Sequence, residues 1–144
     1  MKINRLIVFV ILIAVVLGIA ISPVTVASND SWLDVVNRDC GIMNSDITLL
    51  KSSIEDNDMK NMKLSGTMLR EDATIALRNS KAVSVSDPNL KEAKYNYEKA
   101  LTLLIDIGAS LEKGNVNYAL DQFKLVSNYL DKTLVYINEY KAGR

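Results

Sequence analysis

Residues 87–115 read DPNLKEAKYNYEKALTLLIDIGASLEKGN, and the fold turns on how this stretch is read. Leu90, Ala93, Tyr97, Ala100, Leu104, Ile107 and Leu111 recur at alternating spacings of three and four. A helix gathers such positions onto one face, whereas a strand would divide them between two. The ends are marked as clearly. Asp87 can accept hydrogen bonds from the free amides of a first turn, and Pro88 suits the first helical position, where its missing N–H costs nothing. Gly114 supplies the left-handed residue that commonly ends a helix, and Asn115 is placed to cap the next one.

The same alternation extends in both directions. Toward the C-terminus it runs Val116, Ala119, Phe123, Val126, Leu130, Thr133, Ile137 and Tyr140. Toward the N-terminus lie Met59, Met62, Gly66, Leu69, Ala73, Ala76, Ser80 and Val83, and before them Leu33, Val36, Cys40, Met43, Ile47, Leu50 and Ile54. Ser31, with Asp34 three residues on, has the capping pattern of a helix start. Glu55-Asp56-Asn57-Asp58 and Ser84-Val85-Ser86 interrupt the periodicity and read as links. Four helices are therefore expected at about 31–55, 58–83, 88–113 and 115–141. Short links make sequential helices antiparallel. The fold class expected is all-α: an up-down-up-down antiparallel four-helix bundle preceded by an N-terminal hydrophobic helix. Two long hairpins that complete a core on dimerisation are the alternative.

Individual residues refine this picture. Gly66, Ala73, Ala76 and Ser80 make the second seam small enough for close approach, while Met68, Ile75 and Leu77 are expected to widen its apolar face. Gly41 sits inside the first helix at a cost of up to about 1 kcal/mol relative to alanine, and so marks a weak point or a close contact.

Gly114-Asn115-Val116-Asn117-Tyr118-Ala119-Leu120-Asp121-Gln122-Phe123 resembles the turn and second helix of a tetratricopeptide repeat, and residues 89–101 resemble another such helix. The resemblance implies a peptide-binding scaffold. Ala93 and Ala119 are 26 residues apart, however, where the repeat needs about 34, so the chain is not assigned to that family.

Ahead of the helices, residues Leu6 to Ile21 carry no charge. Lys2 and Arg5 precede them, and the small residues Ser22 to Ala27 follow. This is the pattern of a secretory signal, with cleavage expected after Ala27. The run spans roughly 24 Å as a helix, and Ser22–Ala27 would extend it to bilayer thickness, so a retained anchor is the other reading. Either way Lys2 and Arg5 stay cytoplasmic, and residues 28–144 form one extracytoplasmic domain. Trp32 then lies near the membrane surface if the anchor is kept, or caps the bundle end.

Composition excludes much chemistry. The chain has no histidine, which removes Ser-His-Asp and Cys-His nucleophile arrangements, di-iron sites of the Glu-x-x-His type and c-type haem attachment. Lys+Arg and Asp+Glu are equal at 17 each, unlike the basic surface of a nucleic-acid binder. No catalytic residue, cofactor or metal ligand set is expected. Glu55–Asp58 lacks the glycine and distant glutamate of a calcium loop and reads as a solvated turn. Cys40 is a buried apolar-like residue or, being alone outside the cytosol, the donor of an intermolecular disulfide.

All six tyrosines lie in the second half of the chain. Tyr118, Leu125, Tyr129 and Tyr136 share a flank beside the last seam and form the candidate interaction face, since a half-buried tyrosine packs its ring while its hydroxyl stays wet. The function expected is non-enzymatic protein–protein interaction by an adaptor, sensor-like module or envelope structural protein. Its partner would be an unknown protein or a second copy, with the membrane engaged through residues 6–27 if these are uncleaved. The alternative is a carrier whose core, lined by Met43, Met59, Met62 and Met68, holds a small apolar ligand.

Overall fold

In the computed structural model, which describes residues 28–143, the Asp87 carboxylate accepts from the backbone N–H of Asn89 at 2.9 Å and of Leu90 at 3.1 Å. Pro88 takes the first helical position. At the far end Gly114 adopts φ +80°, left-handed as the turn requires. Four helices result: α1 (Ser28–Glu55), α2 (Met59–Ala82), α3 (Pro88–Glu112) and α4 (Val116–Ala142). There is no strand among the described residues, and none of the described helices is long and apolar enough to cross a membrane. The Leu6–Ile21 segment, with its signal or anchor role, lies outside the described residues.

The four helices pack against one another around a single core, consistent with a four-helix bundle. Cross-helix pairs fix the directions. Trp32 meets Ser80 while Asp46 meets Asp72, so α2 descends as α1 rises. Ser80 meets Glu98 while Arg70 meets Glu112, and Thr133 reaches the Ala93 carbonyl. Tyr140 of α4 comes back to Asp30 at the start of α1, with 3.4 Å between the hydroxyl and the carboxylate. The α3 seam is buried throughout its length, and the α4 seam is buried from Ala119 to Tyr140.

Small residues bring α2 and α3 close together. A Cβ on Gly66 would stand 2.6 Å from Leu111 Cβ, and one on Gly108 only 2.5 Å from the Gly66 carbonyl oxygen. Beside this crossing, Arg70 and Glu112 pair at 3.1 Å. The other end of the α2–α3 pair is closed by a polar junction. Trp32 is wholly buried, stacks edge-on against Tyr97 with 6.0 Å between ring centroids, and donates its indole N–H to Ser80 Oγ at 3.0 Å. Ser80 in turn donates to Glu98 at 2.9 Å. Lys94 pairs with Glu98 at 3.1 Å and donates to the carbonyls of Ser80 and Val83 at the end of α2. A cation placed there satisfies carbonyls that the helix itself leaves open. Trp32 therefore caps the bundle end from inside.

Several expectations need correction. The described part of α1 already begins at Ser28, so Ser31 and Asp34 lie within the helix and not at its start. The start of α1 is tied instead by Asn29, whose side-chain oxygen accepts from the Ser86 N–H at 3.0 Å. Asn115 precedes α4 but makes no capping bond with its side chain. Asp58, inside the acidic link, is the residue that caps α2, accepting from Asn61 N–H at 3.0 Å. Met68 and Ile75 do not widen the buried face of α2: both are exposed, because that face is narrowed by Gly66, Ala73 and Ala76 against α3.

Gly41 makes no close contact, since a Cβ there would meet nothing within 4 Å. Its only effect is conformational. Gly41→Ala is expected to stabilise the protein by about 0.5–1 kcal/mol, seen as a higher urea midpoint at unchanged slope. A lower midpoint would contradict this reading.

Candidate interaction surface

On α4, Tyr118, Leu125, Tyr129 and Tyr136 follow one another at spacings of seven, four and seven, which keeps them on one flank. From Tyr118 to Tyr136 the strip is roughly 27 Å long. Tyr118 is 51 % exposed and Leu125 44 % exposed, while Tyr129 and Tyr136 are partly buried against the core. Apolar rings and a leucine thus remain in water beside a well-packed seam.

The Tyr136 end of the strip opens into a groove between α3 and α4 of about 390 Å³. Thr133 sets the register here by reaching the Ala93 carbonyl, which brings Glu92, Tyr95 and Asn96 of α3 opposite Tyr136 and Glu139. Lys132 also lines the groove, with its ammonium 5.8 Å from the centroid of the Tyr129 ring. Lys99 sits similarly over Tyr95, at 5.4 Å. The sequence places the α4 residues on one flank and Tyr95 on α3, but does not link Tyr95 or Asn96 to that flank. Tyr95 and Asn96 directly precede Tyr97 in sequence, and only the pairing of the two helices reveals which of their faces meets the tyrosines.

The remaining candidates fall elsewhere. Cys40 faces inward and its thiol donates to the Tyr97 hydroxyl at 3.7 Å. Burial pushes the thiol pKa up to about 12 and holds the Tyr97 phenol well above its usual value. Both groups stay neutral, and an intermolecular disulfide would require Cys40 to leave the core. The four methionines do not converge: Met43 and Met62 are buried, whereas Met59 and Met68 are exposed. The solvated-turn residues Asp56 and Asn57 are exposed, and Asn57 adopts φ +51°.

One titratable pair was not anticipated. Asp39, Asp46 and Ser53, spaced by seven behind Trp32, are buried along the α1–α2 junction. Asp39 is satisfied by Arg38 Nε at 3.1 Å and Asn79 Nδ2 at 3.0 Å. Asp46 has only another carboxylate, Asp72, beside it, and its Oδ2 is buried without a donor. Burial, then the hydrogen bond and charge of Asp72, push the Asp46 pKa up to about 7. Asp46 is thereby suited to keeping its proton beside the Asp72 carboxylate. Ile42, Leu49, Met68 and Ile75 are exposed one helical step outward from this polar row.

The described residues form an all-helical unit of four packed helices. Beyond that class, no protein-family model matches the chain, and no curated protein or solved structure is significantly similar to it.

Proposed function

We propose that the chain is a non-enzymatic module that acts outside the cytoplasm by protein–protein interaction, as an adaptor, a sensor-like part or a structural component of the envelope. The observation that carries this reading is the α4 flank, where Tyr118 and Leu125 stand in solvent in line with the half-buried Tyr129 and Tyr136. Amphipathic rings presented at helical spacing on a rigid support are the elements from which interface centres are built. The unbroken apolar run Leu6–Ile21 supports the location, and an up-down-up-down closure of the bundle would keep the flank pointing away from the core.

A photo-crosslinking side chain placed at Lys124, next to the flank, tests the reading in intact cells. One discrete crosslinked product is expected, reduced at least tenfold when Tyr118→Ser and Leu125→Ser are combined. Both residues are exposed, so the double variant should keep its thermal midpoint. Undiminished capture by a folded double variant would remove the flank from the interaction. Intact mass from washed membranes and from the soluble extracytoplasmic fraction then distinguishes a full-length anchored chain from one starting near Ser28.

A further inference from the structure

We propose that the groove between α3 and α4 is a receptor for a single cationic side chain, an arginine above all, carried by the partner protein. This rests on the interaction reading of the tyrosine flank and names the chemistry that the flank would recognise. The floor of the groove is Asn96, a polar residue only 6 % exposed. Its Nδ2 donates to the Glu92 carbonyl at 2.8 Å, and that bond decides the orientation of the amide, because a carbonyl needs a donor. The Oδ1 atom is left without a partner, although it is not sealed from solvent. An acceptor therefore faces the opening.

The rim adds to this bias. Glu92 and Glu139 line the groove from opposite helices, and neither carboxylate pairs with a cation among the described residues. Tyr95 and Tyr136 line the groove beside them. The aromatic rings of this region already attract cations, since Lys99 lies over Tyr95 and Lys132 over Tyr129. Lys132 is the one basic residue lining the groove among the described residues, and its ammonium is engaged with Tyr129. An anionic or acceptor-rich ligand would set acceptor against acceptor at Asn96 and like charge against both glutamates. A guanidinium satisfies every group at once: its N–H donors meet Oδ1 and the carboxylates, and its plane stacks on a tyrosine. An ammonium would make the same charge contacts without the stacking.

The test is a titration of the full-length, isotope-labelled chain in neutral detergent with two blocked tripeptides, Gly-Arg-Gly and Gly-Glu-Gly. The arginine peptide is expected to shift the Asn96 side-chain amide resonances saturably, and the glutamate peptide to leave them unmoved. Combining Glu92→Gln with Glu139→Gln, both at exposed positions, should weaken arginine binding at least tenfold while the spectrum remains that of the folded protein. Equal responses to the two peptides, or undiminished binding by the double variant, would overturn the proposal. Repeating the cellular crosslinking with this variant separates the two levels. Capture that persists without an arginine response leaves the partner reading standing and ends this one. Loss of capture together with loss of the response supports both.

Discussion

Gly108→Ala is expected to destabilise the folded protein by about 2–3 kcal/mol, the cost of overpacking a filled contact. The added Cβ would lie 2.5 Å from the Gly66 carbonyl oxygen, 2.7 Å from Arg70 Cβ and 2.9 Å from Arg70 N. Two of these three obstacles are backbone, which cannot rotate away, so the helices must part. Separation would loosen the packing of Leu69 and Leu111 and stretch the 3.1 Å Arg70–Glu112 pair. In an open helix the same change would add about 1 kcal/mol of stability, as expected at Gly41. Equilibrium urea unfolding of Gly108→Ala and Gly41→Ala side by side should give midpoints displaced in opposite directions. A Gly108→Ala midpoint at or above that of the unaltered protein would show that α2 and α3 are not in tight contact there.

Replacing Asp46 with asparagine is expected to stabilise the protein by about 2 kcal/mol at pH 8 and to leave it nearly unchanged at pH 4. The sign follows from proton binding. Asp46 ionises at about 7 in the folded chain, whereas an aspartate in the unfolded chain ionises near 3.9. Between those values the folded state holds a proton that the unfolded state has released, so this site stabilises folding fully below about pH 4. That contribution declines as pH rises through 7, where the buried Asp46 must become charged beside Asp72. A three-unit shift corresponds to about 4 kcal/mol at most. Asp72 is partly exposed, so solvent screening reduces the effect to about half that figure. The asparagine amide can donate to Asp72 at every pH, so the pH dependence should vanish with the carboxyl group. Parallel stability–pH curves for the two proteins would refute the raised Asp46 pKa.

These two residues show what could be read from the chain and what could not. The α3 seam was legible because seven apolar residues alternate at three and four, and every one of them is buried. The closeness of α2 to α3 is partly legible in Gly66, but its counterpart Gly108 lies beside the α3 seam, where the periodicity does not mark it. Asp39 and Asp46 are illegible in the sequence for a physical reason. They occupy a row at spacing seven to one side of the α1 seam, and aspartate at such a position ordinarily marks the solvent face. Only the arrival of Asp72 and Asn79 from α2 makes that row internal. The groove followed the same logic. Tyr136 drew attention by its type, whereas Asn96 gains meaning from the α3–α4 register, which no single-helix pattern contains.

Trp32 is the only tryptophan in the chain, and it sits where α1, α2 and α3 meet, with its indole N–H on Ser80 and its ring against Tyr97. The protein thus carries a built-in optical probe of one specific event. Emission should be blue-shifted while α1 is seated and should move to the red as soon as that helix lifts, even if α3 and α4 stay paired. Comparing it with far-ultraviolet dichroism, which registers all four helices, would reveal whether the first helix detaches as a separate step.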